Sequence, residues 1–366
     1  MADRLAEFIL APSVWPRQGG DAGNRSLAPC DSAARGRICA SIELPVAHPE
    51  DPRYPYGGVA VLPDGTMSVV RGGVVTALTA DGTIRWRHVL TDLRGDPPDR
   101  TARVYYSPPV ALTGGDVVVS LPASYVVLGA DGVVRQQEAL EGGDDSGCAP
   151  NVTPQGALVL TSMFGGVTVV DSALRTLQPG FGYDLVPPAV YADGSLAVGG
   201  YSGTGFCRVE TDGRIRWRTD FIHADLLPTV DDRQVAAVGA LDDGGSRLFT
   251  PSGQPVGTYG RAAVFAVYGD TGWMARSKTH LARLDSDGRV RWEQALPCPG
   301  RLDVAQPLVD AAGRVYATAP GAVTAWDAAG HCLFDLTLPA AVPGALAVVA
   351  PGILACLAGE RLVLID

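Results

Sequence analysis

The sequence lacks the features that mark several common classes of protein. It has no run of Lys or Arg and carries a formal net charge of −10, so nucleic acid and anionic membranes are poor partners for it. No apolar stretch approaches the roughly 20 residues that a transmembrane helix needs. Residues 1–10 show no basic segment followed by a long apolar core, which argues against a secretory signal. We therefore expect a cytoplasmic protein with no nucleic-acid or membrane partner.

Cysteine is scarce and scattered. The seven cysteines include no CxxC motif and no adjacent pair, and an odd number cannot all pair within one chain. This pattern favours reduced, packed thiols in the cytoplasm over a disulfide framework. The 366 residues are 46% hydrophobic and 19% charged, which is enough apolar material to bury a large core.

A short motif recurs along the chain. Asp81-Gly82-Thr83-Ile84-Arg85-Trp86 has near copies at residues 212–217 and 287–292, and residues 131–135 repeat it without the Trp. Each copy follows an apolar run, and Asp-Gly between two extended runs is a strong hairpin signal. We expect strand, tight turn, strand, with a type I′ turn that requires positive φ at both of its central residues.

The repeat has the spacing of propeller blades. Its second turn recurs roughly every 40 residues, which is the length of one four-stranded blade. Seven units are complete, while residues 345–366 supply only three strands of an eighth. Residues 36–46 resemble the missing second half of a repeat. We therefore predict an all-β fold, a single eight-bladed β-propeller over residues 36–366 whose last blade is split between 36–46 and 345–366. Residues 1–35 are interpreted as an N-terminal extension.

The repeats resemble those of the pyrroloquinoline-quinone-like, or quinoprotein-type, β-propeller family. Trp86, Trp217 and Trp292 follow their Asp-Gly turns as in that family, and Trp15-Pro16-x-x-Gly19-x-Asp21 is similar to the segment that opens soluble members. The resemblance implies the fold more than the function, because the family includes dehydrogenases, assembly scaffolds and sensor domains. Trp326-Asp327 is a lone WD dipeptide, so a WD40 protein is disfavoured despite the WD40-like architecture.

The same resemblance argues against cofactor chemistry. Quinone-dependent members carry an adjacent Cys-Cys pair over the quinone and a carboxylate and amide that hold calcium. This chain has no adjacent cysteines and no convincing calcium loop, since Leu296 stands where the closing Glu would follow Asp285. We expect no quinone, no metal and no other cofactor.

Function is expected on one face of the propeller. The Asp-Gly turns all fall on one face, where backbone geometry explains them. The opposite face, here called the loop face, carries the hairpin loops between second and third strands and the connections between blades, which vary in length and chemistry. Acid–base candidates there are His223, Asp225, Tyr201 and His280. Candidate binding residues on the same face are Arg103, Tyr105, Tyr106, Asp144, Asp145, Asp242, Asp243, Arg276, Lys278, Arg301 and Asp303.

Two functions fit this pattern. The favoured one is a monomeric binding or scaffold protein that presents the loop face to a small-molecule ligand or a protein partner. The alternative is a cofactor-independent enzyme of natural-product (secondary) metabolism, a cyclase, lyase or hydrolase, with its site at the channel mouth. An enzyme would show a closed pocket with convergent titratable groups, and a scaffold would show a broad surface.

Overall fold

The structure is a computed structural model. It describes residues 8–47, 57–91, 93, 107–140, 149–161, 166–171, 174–177, 186–200, 205–221, 224, 226–241, 245–270, 272–297, 306–340 and 343–366. No α-helix in this part of the chain has the length and apolarity that crossing a bilayer requires.

The fold is an eight-bladed all-β propeller in which every blade is a four-stranded antiparallel sheet. β1 (Ile38–Glu43) belongs to the eighth blade. Blades 1 to 4 are formed by the strands β2 (Gly58–Val61), β3 (Met67–Arg71), β4 (Val74–Leu78), β5 (Ile84–Val89); β6 (Val110–Ala111), β7 (Val117–Ser120), β8 (Ser124–Leu128), β9 (Val134–Ala139); β10 (Asn151–Val152), β11 (Leu158–Thr161), β12 (Val167–Val170), β13 (Leu174–Leu177); β14 (Ala189–Val190), β15 (Leu196–Val198), β16 (Cys207–Val209) and β17 (Ile215–Arg218).

Blades 5 to 8 follow the same order along the chain. Their strands are β18 (Thr229–Val230), β19 (Ala236–Ala240), β20 (Gly245–Phe249), β21 (Pro255–Tyr259); β22 (Ala263–Tyr268), β23 (Gly272–Ser277), β24 (His280–Leu284), β25 (Val290–Ala295); β26 (Leu308–Val309), β27 (Val315–Ala319), β28 (Ala322–Trp326), β29 (Cys332–Thr337); and β30 (Pro343–Ala350), β31 (Ile353–Ala358) and β32 (Arg361–Ile365).

The eighth sheet combines both ends of the chain. β1 pairs antiparallel with β32, and Ile42 lies opposite Leu362. β30 contacts β2 of blade 1 and β27 of blade 7, so this sheet lies between the first and the seventh blades.

Burial follows strand position within a blade. The first three strands are almost wholly buried, as in β3 and β4, because neighbouring blades cover both of their faces. The outer strands β5 and β17 alternate half-buried and exposed residues, since only one side of each outer strand packs against the next blade.

The Asp-Gly turns form hairpins of a different type from the one predicted. Gly82 and Gly213 have φ of 87° and 91°, but no Asp of these turns has a positive φ. In the first of them, Gly82 N–H donates to Thr79 O at 2.9 Å and the ladder shifts register beside it. The prediction of type I′ turns was therefore wrong. These are type I turns followed by a glycine bulge, in which only the Gly occupies the left-handed region.

The repeated Trp residues join consecutive blades. Each packs on the turn Gly of the following blade, and its indole N–H donates to the carbonyl two residues before that Gly. The contacts are Trp86 Nε1 to Ala130 O at 2.7 Å, Trp217 Nε1 to Pro251 O at 2.8 Å and Trp292 Nε1 to Ala328 O at 3.1 Å. A Cβ on Gly132, Gly253 or Gly330 would lie within 2.9 Å of the indole, so glycine is needed for space as well as for φ.

Other side chains take the Trp position at the chain ends. Phe334 of blade 7 packs on Gly36, and Ile42 of blade 8 packs on Gly82 of blade 1. At the junction of blades 5 and 6 the position is Gly257, whose added Cβ would lie 2.3 Å from Asp287 O. Here backbone meets backbone, and a groove of about 610 Å³ runs beside the contact.

Residues 8–33, here called the axial segment, cross the propeller axis. Six inner strands donate a backbone N–H to its carbonyls at 2.8–2.9 Å: Val61 to Trp15, Ala111 to Pro16, Val190 to Ala22, Val230 to Gly23, Val267 to Arg25 and Val309 to Ser26. Blades 3 and 8 join through Phe8 N–H to Gly156 O and Gly352 N–H to Asp31 O. All eight blades therefore contact the segment.

The axial segment lies at the Asp-Gly end of the axis. Val61, Ala111, Val190, Val230 and Val309 are the last residues of their inner strands, directly before the turns to the second strands. Most of the segment is buried or half-buried there, and Trp15 is 1% exposed. The segment thus covers this end of the axis.

Candidate functional site

Three of the predicted site residues lie in the described part of the loop face. They are Arg276, Lys278 and His280, all in or beside the hairpin between β23 and β24 of blade 6. The others lie outside the described residues: His223, Asp225, Tyr201, Arg103, Tyr105, Tyr106, Asp144, Asp145, Asp242, Asp243, Arg301 and Asp303.

The blade-6 hairpin is held by its own hydroxyl groups. His280 N–H donates to Ser277 Oγ at 2.9 Å, and Ser277 Oγ donates back to His280 O at 3.1 Å. The His280 ring shares a hydrogen bond between Nδ1 and Thr279 Oγ1 at 2.8 Å. Lys278 is exposed at the tip. The hairpin therefore presents an imidazole and an ammonium group from a fixed backbone.

Arg276 has a different position from the one expected of a surface binding residue. It is 1% exposed, and its Nη2 donates to Thr318 O of blade 7 at 2.7 Å. Arg276 therefore joins two blades beneath the loop face.

A second polar cluster connects blades 5 and 6 near the hairpin. Tyr259 OH donates to Glu293 Oε1 at 2.7 Å, and Arg261 Nε donates to the same oxygen at 3.1 Å. Partial burial favours the protonated carboxyl, but these two hydrogen bonds and the Arg261 charge outweigh it and lower the pKa of Glu293. Burial and the neighbouring carboxylate raise the pKa of Tyr259 well above its ordinary value.

This cluster is built to hold a fixed protonation state. Glu293 stays ionised and Tyr259 stays protonated through neutral pH, whereas an acid–base catalyst needs a pKa near the working pH. The cluster joins blades 5 and 6 at the junction where backbone meets backbone at Gly257, and it fits a rigid anchor beside a binding surface.

Polar side chains line the axis above the axial segment. Arg17 is 1% exposed and donates from Nε to Pro150 O at 3.2 Å and from Nη1 to Asp21 O at 2.6 Å and Asn24 Oδ1 at 2.5 Å. Pro150 directly precedes β10, so the side chain extends from the segment along the inner strands toward the loop face.

Amide side chains complete this polar layer. Asn24 Nδ2 donates to Pro228 O at 3.0 Å, and Asn151 Nδ2 donates to Pro188 O at 2.8 Å. Gln306 Nε2 lies within 3.1 Å of three acceptors, Asn24 O, Thr229 Oγ1 and Phe265 O. The layer therefore forms a polar floor on the side of the axial segment that faces the loop face.

Sequence reasoning did not identify this floor. Arg17 lies inside the Trp-Pro-x-x-Gly motif that carried the family resemblance, and Gln306 lies two residues before the inner strand β26. Both residues have a recognisable position in the repeat pattern. Their convergence was not visible, because Gln306 and Asn24 are 282 positions apart.

The residues present do not fit the quinone and calcium of the quinoprotein enzymes. Within the described ranges, no group of three His, Cys, Asp or Glu side chains could hold a metal ion. The sequence contains no adjacent cysteine pair. The described cysteines are free thiols, and burial raises the pKa of Cys207 and Cys356 to about 12.

Comparison with known proteins identifies the repeat. The family model described as outer membrane protein assembly factor BamB matches residues 152–333. No curated protein matches the chain.

Several solved structures share the fold. BamB from Moraxella catarrhalis aligns with a TM-score of 0.67 at 16% identity, covering 90% of this chain and 100% of that chain. Quinohemoprotein alcohol dehydrogenase ADHIIG from Pseudomonas putida HK5 aligns at 0.68 and 14% identity, covering 95% and 76%. Virginiamycin B lyase from Staphylococcus aureus aligns at 0.53 and 13% identity, covering 89% and 98%. At these identities the likeness concerns the fold alone.

Proposed function

We propose that this chain, an eight-bladed propeller that the PQQ-like family model matches over residues 152–333, is a binding or scaffold protein whose loop face receives its partner. We further propose that it works as a monomer in the cytoplasm. The cytoplasmic assignment rests on the odd number and scattered positions of the cysteines.

One observation carries the proposal, namely the position of the axial segment. It hydrogen-bonds to all eight blades at the Asp-Gly end of the axis and covers that end. The loop face is the opposite end, and it carries polar groups on fixed backbone, such as the exposed Lys278 and the half-buried His280. A rigid scaffold with variable polar loops is the usual arrangement of a recognition surface.

A protein partner is favoured over a substrate. The family whose model matches is described as an assembly factor. The described titratable cluster of Tyr259 and Glu293 is held away from proton transfer at neutral pH, which favours recognition over the alternative of a cyclase, lyase or hydrolase.

The sequence offers a direct test, because Lys278 is the only lysine in the chain. An amine-reactive photo-crosslinker coupled to the full-length protein should capture a defined partner from the cytoplasm of its source. Lys278→Arg measures the background from the N-terminal amine. Ala312→Lys in the Lys278→Arg protein moves the single lysine to the exposed Ala312-Gly313 turn, which lies on the same face as the Asp-Gly turns.

We expect the partner band with the parent protein and its loss in both variants. The same band from the lysine at position 312, with none from Lys278, would place the partner on the Asp-Gly face and contradict the proposal. A tagged partner should then co-elute with the parent at a mass that fits one copy of this chain. Co-elution at the mass of two copies would contradict the monomer.

A further inference from the structure

Arg17 differs from Arg25, the other arginine of the axial segment, in the groups that surround its charge. Its three hydrogen bonds go to neutral acceptors, Pro150 O, Asp21 O and Asn24 Oδ1. Across the described ranges, no carboxylate oxygen lies within 4.0 Å of its guanidinium, and the Asp21 carboxylate is engaged by Arg25. A buried charge is normally paired, and Asp21 acts on this guanidinium through space only, so the lack of a contacting carboxylate points to an anion as its partner.

Two polar atoms of the floor have no hydrogen-bond partner among the described residues. Arg17 Nη2 makes no hydrogen bond to the described residues, and the buried Gln306 Oε1 makes none either. Gln306 is 8% exposed. The floor therefore retains one unused donor and one unused acceptor.

Gly19 shows that these groups share one cradle. A Cβ added to Gly19 would lie 3.1 Å from Gln306 Oε1 and 3.1 Å from Asn24 Oδ1, the oxygen that Arg17 Nη1 contacts. Gly19 also has a φ of 83°, a value that residues with a side chain rarely adopt. Gly19 therefore places the Arg17–Asn24 pair and Gln306 Oε1 around one backbone position, where any side chain would crowd them.

We propose that Arg17 and Gln306 form the floor of a binding site for the carboxylate of a small hydroxy or amino acid. The carboxylate accepts a hydrogen bond from Arg17 Nη2, and the neighbouring hydroxyl or ammonium group donates to Gln306 Oε1. The ligand enters from the loop face because the axial segment covers the other end. This access route rests on the proposed function, in which the loop face is the open one.

Electrostatics support the site. Burial lowers the pKa of Arg17 to about 10, which leaves the guanidinium charged at neutral pH. A charged hydrogen bond to a carboxylate in this buried setting is among the stronger polar contacts available to a protein.

Isothermal titration calorimetry of the full chain tests the site, with glycolate, acetate and inorganic phosphate as probes at constant ionic strength. The wild type should bind glycolate more tightly than acetate, since only glycolate has a hydroxyl for Gln306. Arg17→Gln should raise the Kd for glycolate about tenfold or more. Arg25→Gln is the matched control, because Arg25 lies in the same segment but is partly exposed and paired with Asp21 and Asp232. Arg25→Gln should change the Kd for glycolate by no more than about twofold relative to the wild type.

A melting curve precedes each titration to show that the variant is folded. If Arg17→Gln does not fold, wild-type crystals soaked in bromide give a second readout, an anomalous peak at Arg17 Nη2. An unchanged Kd in folded Arg17→Gln, a wild type that binds none of the probes, or soaked crystals without that peak would overturn the inference. Equal affinity for glycolate and acetate, or preference for phosphate, would overturn the assignment of a hydroxy or amino acid. A loop-face partner captured through Lys278 by a protein that binds no probe would leave the proposed function standing and reject this site alone.

Discussion

Alanine at the turn glycines should separate two reasons for glycine in the repeat. Gly65 and Gly253 have nearly the same φ, 81° and 84°. A Cβ on Gly65 would meet nothing within 4 Å, whereas a Cβ on Gly253 would lie 2.7 Å from the Trp217 indole. The two positions therefore share the backbone requirement and differ in whether a side chain of the preceding blade packs on the glycine.

The expected losses follow from these contacts. Gly65→Ala should lower the free energy of unfolding by about 1 kcal/mol, the cost of a left-handed non-glycine residue. Gly253→Ala adds the displacement of a packed indole, about 1–3 kcal/mol for overpacking, and strains the bond from Trp217 Nε1 to Pro251 O. We expect a total loss of about 2–4 kcal/mol for Gly253→Ala.

Urea unfolding followed by far-ultraviolet circular dichroism measures both losses without relying on the altered Trp. Trp217→Ala supplies the control background. With the indole removed, Gly253→Ala should fall back to a loss of about 1 kcal/mol, which gives a coupling of about 1–3 kcal/mol between the two positions. Equal losses for Gly65→Ala and Gly253→Ala, or no coupling to Trp217, would refute the claim that packing of the indole on Gly253 stabilises the propeller.

Three further predictions address closure, acid stability and cofactors. Deleting residues 1–45 removes β1 and the axial segment, so we expect insoluble or molten protein, and cooperative melting near the full-length temperature would reject the split eighth blade. Burial favours protonated Asp193, but hydrogen bonds from Ser195 and Arg208 lower its pKa far below its ordinary value. Its contribution to stability is therefore present above an unfolded pKa of about 3.9 and is lost as pH falls toward the folded pKa. Asp193→Asn should flatten the acid limb of a plot of urea midpoint against pH, and an unchanged limb would contradict this. Finally, purified protein should carry no stoichiometric calcium or quinone, and a chelator that lowers the melting temperature by several degrees would reveal a metal site.

The repeat could be predicted from the sequence because its signals are local. Asp-Gly preceded by an apolar run marks these hairpins, and the Val-rich run at residues 74–78, before the first copy of the motif, forms β4. The turn type was mispredicted because the dipeptide suits both type I′ turns and type I turns with a glycine bulge. The structure distinguishes the two, because the pairing of β4 with β5 shifts register beside Gly82, as a glycine bulge requires.

The contacts between blades could not be predicted from local sequence patterns. The sequence shows Trp217 and Gly253 in consecutive repeats, but only the ring brings the indole of one onto the turn of the next. The axial segment is the stronger case, since its carbonyls accept hydrogen bonds from inner strands of six blades although it has no periodic sequence pattern of its own. Arg17 and Gln306 were missed for that reason.

The central claim is that recognition occurs on the loop face while the Asp-Gly face serves the fold, and one comparison of mutants tests it most directly. Alanine at His280, and at His223 and Asp225 outside the described residues, should change the free energy of unfolding by no more than about 0.5 kcal/mol. The same changes should weaken binding of the partner captured through Lys278. Valine at Gly213 or Gly288, where φ is 91° and 78°, should lower the melting temperature and leave the affinity of the folded protein unchanged. Loop variants that bind like the parent, together with folded Asp-Gly variants that no longer bind, would contradict the account.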